Sequence, residues 1–179
     1  RQAMQVLMAK LEQIEEEKRQ AELDAATGGK VDRGWGTQIR SYVLYDNRVK
    51  DHRTGHEAGN PQTVLDGALQ PFIDAELQRR RDAAVDGLAA IDGITCATPD
   101  ATFYLFPNVT AVMSRMGFAD VGDFATAALQ NTGVSFCTRQ HFGRPQADEA
   151  EQYIRLAYSG ISVDDIAEGL DRLGAWTAT

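Results

Sequence analysis

Several things are scarce in this chain of 179 residues. There are two cysteines, Cys96 and Cys137. That is too few for a disulfide framework, so the expectation is two buried free thiols in a cytoplasmic protein. No lysine occurs after Lys50; the others are Lys10, Lys18 and Lys30. No apolar run approaches the roughly 18–20 residues of a membrane span. The first residues, Arg1 to Lys18, are charged and amphipathic, unlike a secretion signal. They open on Arg and not Met, as a cut fragment would. Internal repeats, low-complexity tracts and a Gly/Ser or Pro-rich linker are also missing. The formal net charge is -8. Such a chain as a whole is not drawn to nucleic acid, because phosphate contacts need clustered Lys and Arg.

What is present reads as a globular α+β protein: a long N-terminal helix, a small β/α module, then a β-β-α-β-β-α arrangement. Met4, Leu7, Met8, Leu11 and Ile14 recur at helical steps over residues 1–24, and Gly28-Gly29 follow as a stop. Residues 37–50 are strand-like around a turn at Asp46-Asn47, and 51–60 read as a loop. Asn60-Pro61 opens a short helix that ends near Gly67. A second helix spans about 71–90. Its apolar face is Ile73, Leu77, Ala84, Leu88 and Ile91, interrupted by Arg79-Arg80-Arg81.

Past Gly93 the pattern changes. Strand-like runs are 94–97, 103–106, 134–137 and 153–158. A helix over 120–130 carries Val121, Phe124, Ala125, Ala128 and Leu129 on one face. A last helix is capped by Ser162, with Asp164 and Asp165 in its first turn and a stripe of Val163, Ile166, Leu170 and Leu173.

Two resemblances divide the chain. Gly34-Trp35-Gly36-Thr37-Gln38-Ile39-Arg40-Ser41-Tyr42-Val43-Leu44 resembles bacterial class I peptide-chain release factors. So do Arg48-Val49-Lys50-Asp51-His52-Arg53-Thr54-Gly55, Val64-Leu65-Asp66-Gly67 and Phe72-Ile73. The likeness covers roughly residues 1–80. It divides into 1–29, like the end of that family's catalytic domain, and 30–80, like its C-terminal module. It implies translation termination on the ribosome. The family hydrolyses peptidyl-tRNA with a Gly-Gly-Gln loop, whereas Gly28-Gly29 here is followed by Lys30 and stands where a helix stops. Arg40, Arg48, Lys50, His52 and Arg53 form a basic strip. By resemblance they would meet ribosomal RNA phosphates; otherwise they form a solvated strand face partnered by Asp46 and Asp51.

Residues 79–176 resemble the small C-terminal domain of fold-type I PLP-dependent aminotransferases, of the aspartate aminotransferase kind; the domain so defined is 81–179. The carriers are Arg80-Arg81-Asp82, Ile91-Asp92-Gly93-Ile94, and Ala101-Thr102-Phe103-Tyr104-Leu105-Phe106-Pro107. His141-Phe142-Gly143 and Tyr153-Ile154-Arg155-Leu156-Ala157-Tyr158-Ser159 complete them. The family often has Gly in place of Ala101, and a Pro-Gly-Ser type of turn in place of Thr138-Arg139-Gln140. The resemblance implies that Arg155 grips a substrate α-carboxylate, as a planar guanidinium can. The plainer reading pairs Arg155 with Asp164 or Asp165. PLP chemistry needs a lysine amine for the Schiff base, and this half has none.

No catalytic residue is therefore expected, and no cofactor or metal. His52/His56 and Cys137/His141 are each four apart but fall in predicted strand or loop. Ser135 and Ser159 have no visible His–acid partners. The expectation is a fusion of two structural modules through a shared helix with its seam at Arg79–Arg81, without native activity. The alternatives are a ribosome-binding module and a domain that binds amino or keto acid carboxylates. The apolar stripe of the first helix predicts a homo-oligomer.

Overall fold

The computed structural model describes residues 38–143 and 149–178, together with Lys10, Glu15, Lys18 and Arg19. Those four are helical, as the amphipathic pattern predicts. The stripe from Met4 to Ile14 lies outside the described residues, and so does Gly28-Gly29. Among the described residues no helix is long and apolar enough to cross a membrane.

β1 (Arg40–Val43) and β2 (Arg48–Asp51) form the expected hairpin, with Arg40 opposite Asp51 and Val43 opposite Arg48. Asn47 takes a left-handed φ of 48°, which asparagine tolerates, and its N–H closes the turn on the Leu44 carbonyl at 3.3 Å. The stretch expected as a loop contains a short third strand, β3 (Glu57–Ala58), antiparallel to β2. Two residues are too few for an alternating pattern to show. α1 (Pro61–Leu65) begins as predicted: Asn60 Oδ1 accepts from Gln62 N–H at 3.0 Å, and Pro61 needs no donor there.

α2 (Gln70–Ala89) runs unbroken through Arg79, Arg80 and Arg81. Its buried residues are Phe72, Glu76, Ala84 and Leu88, and Ile73, expected on the apolar face, is 48% exposed. The reason lies in the spacing. Phe72, Glu76, Arg80, Ala84 and Leu88 form one row of four-residue steps. A helix turns about 100° per residue, so each step advances the row by about 40° and its ends point about 160° apart. Each end meets a different core. Phe72 packs with Val49 and Val64. Ala84 and Leu88 join Ile91, Leu105, Phe124, Ile154, Leu170 and others in a much larger cluster.

The second module is a three-stranded antiparallel sheet, ordered β4-β6-β5, from β4 (Tyr104–Leu105), β5 (Cys137–Thr138) and β6 (Ile154–Ala157). The α+β class holds, but the element order is β-α-α-β-β-α. The expected strand at 94–97 is a single bridge, Thr95 to Asn108, and the strand expected at 134–137 pairs only from Cys137. An additional helix, α3 (Thr110–Met116), buries Val112 and Met113. Asn108 Oδ1 receives the Thr110 N–H at 3.0 Å, and Gly117 ends the helix at φ 77°.

α4 (Val121–Thr132) is capped by Asp120, which accepts from Gly122 and Asp123 N–H at 2.7 and 3.1 Å. It buries Val121, Phe124, Ala128 and Thr132, while Leu129 stays exposed. α5 (Val163–Thr177) starts at the Ser162 cap and buries Ile166, Leu170 and Leu173. Trp176 from α5 lies 5.5 Å from Phe124, which also faces Phe118 and Phe136.

Candidate functional site

The basic strip is built on the β1–β2 hairpin. Its centre is Asp51, which has no exposure at all. A buried carboxylate needs partners. Arg53 supplies a two-pronged contact, Nε to Oδ1 at 3.2 Å and Nη2 to Oδ2 at 2.9 Å, and its backbone N–H adds a third at 3.0 Å. Arg40, directly across the ladder, reaches Oδ2 at 3.3 Å, and its guanidinium carbon lies over the Phe72 ring, 4.3 Å from the centroid. The hydrogen bonds from Arg53 above all, with lesser help from Arg40, hold the Asp51 carboxyl down at about 2 against the burial that would raise it.

The remaining cations are also partnered. Arg48 meets Asp46 at 3.3 Å and Glu57 at 3.7 Å, and Lys50 meets Glu57 at 2.9 Å. His52 Nε2 is 2.6 Å from Ser41 Oγ. Three carboxylates thus offset the strip from within. Asp46 and Asp51 are the partners the sequence predicts; Glu57 comes from β3, which is too short to show a strand pattern. The Arg40 and Arg53 side chains serve Asp51 and the small core rather than standing free on a surface.

Arg155 lies on β6, opposite Cys137 of β5. Its guanidinium stacks on Tyr104, 4.5 Å from the ring centroid, with Phe142 at 5.4 Å and Cys137 Sγ 3.6 Å from Nη2. The expected pairing with Asp164 or Asp165 does not form. Asp165 bonds Ser162 Oγ at 2.6 Å at the start of α5, and among the described residues no carboxylate bridges Arg155. Tyr104 and Phe142 stand inside the motifs, but only the fold brings their rings to Arg155. A cavity of about 260 Å³ adjoins through Phe142, lined also by Phe106, Tyr153 and the Arg139–Glu149 pair at 2.9 Å.

Members of the metal-spaced pairs each have a neighbour of another kind, His52 at Ser41 and Cys137 at Arg155. His56 lies edge-on to Phe72 at 4.8 Å, and His141 Nδ1 is 3.1 Å from Thr138 Oγ1. No metal-holding cluster occurs among the described residues. Cys96 and Cys137 are free and half-buried, and burial pushes the Cys96 thiol up.

Comparison with known proteins gives two classes of likeness. No protein-family model matches the chain. A stretch of 77 residues, 43% of the chain, is 53% identical to proteins called peptide chain release factor 2 from Neisseria meningitidis and Neisseria gonorrhoeae. The chain spans 21% of the length of those relatives. By structure, the neighbours are aminotransferases. The aspartate aminotransferase of Rhizobium meliloti is 28% identical at a TM-score of 0.50, over 66% of this chain and 30% of that one. An Escherichia coli aminotransferase shares the fold at TM-score 0.53 and 23% identity, over 68% and 30%. Two unrelated likenesses in one chain are those of a chimera. Their shares together exceed the whole chain, so some residues are matched by both.

Proposed function

We propose that this chain is a fusion of a release-factor-derived module and an aminotransferase small-domain module, joined through α2 and catalysing neither parental reaction. The observation that carries this reading is the absence of any lysine after Lys50. Transamination needs a lysine amine to hold PLP and to move the proton, so the residues of the second module do not fit that cofactor. No Gly-Gly-Gln occurs in the sequence; its one Gly-Gly, Gly28-Gly29, is followed by Lys30 and reads as a helix stop. Titration with PLP, followed by absorbance, tests the first point: no bound-cofactor band is expected, and a saturable band would overturn it. A peptidyl-tRNA hydrolysis assay on programmed ribosomes tests the second, with release at the background rate expected.

A second reading has its own support. The Arg155 guanidinium lies against the Tyr104 and Phe142 rings, and among the described residues no carboxylate bridges it, which leaves its fork open to a carboxylate ligand. Chemical-shift titration with a dicarboxylate should move the Arg155 and Cys137 signals, and Arg155→Ala should abolish the movement. A ribosome-binding role would have to use Arg48 and Lys50, whose partners are exposed, because Arg40 and Arg53 are committed to Asp51. Co-sedimentation with 70S ribosomes, compared between the unaltered chain and an Arg48→Ala/Lys50→Ala variant, tests that role; no pelleting at low salt would end it.

A further inference from the structure

Among the described residues, the apolar core of the first module is three buried side chains, Val49, Val64 and Phe72. One of the three, Phe72, comes from α2. The part of α2 that reaches this core is its first half, Gln70 to about Arg79. An isolated helix of that length is marginal in water, and so is an isolated hairpin. The other half of α2 is fixed by sixteen buried residues of the larger cluster, Ala84 and Leu88 among them.

We propose that the β1–β3 module has no stable fold of its own and forms only on α2 already fixed by the second core. The dependence runs one way: the second core loses nothing essential when the hairpin opens.

Polar contacts run along the same line. Asp51 is held by Arg53, and Arg53 and Glu76 attract each other. Glu76, buried in the row between the two cores, accepts from Arg79 Nε at 3.1 Å and Arg80 Nε at 3.0 Å. Arg80 then donates through Nη1 to the Ser159 carbonyl, on the loop that enters α5. Asp51–Arg53 thus secures the first sheet, and Glu76–Arg80–Ser159 separately ties α2 to the second module. Removing either partner of the Glu76–Arg80 pair would leave a largely buried charge uncompensated.

Hydrogen–deuterium exchange of the full chain, read by peptide mass spectrometry, tests this order. Phe72→Ala should lower protection of residues 40–58 by more than about tenfold while 154–173 keep theirs. Leu88→Ala should lower protection of both. In a urea series on the unaltered chain, 40–58 should lose protection before or together with 154–173. Retention of protection in 40–58 at a urea concentration where 154–173 exchange freely would overturn the proposal, and so would a Phe72→Ala chain that loses both regions together. The urea series decides even if the Leu88→Ala chain does not fold.

Discussion

Acid should open the first module by neutralising Asp51. In the folded chain this carboxyl sits at about 2 instead of its ordinary 3.8. At 1.36 kcal/mol per pH unit, the difference contributes about 2 kcal/mol of stability. Because the folded value is the lower one, the contribution is complete above about pH 4 and is lost as the pH falls through about 2. The readout is amide protection in residues 40–58, corrected for the intrinsic exchange rate at each pH. Between pH 5 and pH 2 the unaltered chain should lose about 30-fold more protection than Asp51→Asn, which has no charge to lose. Glu57 and Glu76 are also held below their ordinary values, chiefly by Lys50 for Glu57, and for Glu76 by Arg79 and Arg80 against a larger opposing effect of burial. Both acids are present in both proteins, so the difference isolates Asp51. Parallel pH profiles for the two proteins would refute the buried Asp51–Arg53 contact as a source of stability.

Other outcomes follow from packing and caps. Gly87→Ala should destabilise the second module by about 1–3 kcal/mol in urea denaturation, despite alanine's better helix propensity, because a Cβ there would stand 2.6 Å from Leu170 Cδ1 and 3.3 Å from its Cβ. Asp120→Ala should cost about 1 kcal/mol in the same assay by removing the acceptor for the Gly122 and Asp123 N–H groups; an unchanged midpoint would contradict that cap. Phe72→Ala should cost the hairpin region about 3 kcal/mol or more, seen as exchange confined to 40–58.

Much of the fold is legible in local chemistry. Asn60-Pro61, Asp120 and Ser162 announce helix starts that the structure places at those residues, and Gly133 ends α4 at φ 73°. Elements shorter than one period of their pattern are not legible: β3 has two residues, and α3 seven. The face of α2 is misread for a different reason. Ile73 and Leu77 suggest a single apolar stripe, yet a helix that serves two cores on nearly opposite sides has no single stripe. Glu76 and Arg80 look like solvated charges in sequence and are an ion pair at 3.0 Å inside the row. At the candidate sites, residue types alone mark Arg155 and the basic strip. Sequence cannot say that Arg155 lies against Tyr104, or that Asp51 is buried between Arg40 and Arg53, because those neighbours are set by strand register.

Whether two modules are joined through one unbroken helix is tested most directly by backbone NMR. The Cα chemical shifts of Gln70–Ala89 should all be helical, with Arg79, Arg80 and Arg81 no different from their neighbours. Coil-like shifts at those three residues, with helical values on either side, would contradict a shared α2 and make the seam a hinge between separate pieces.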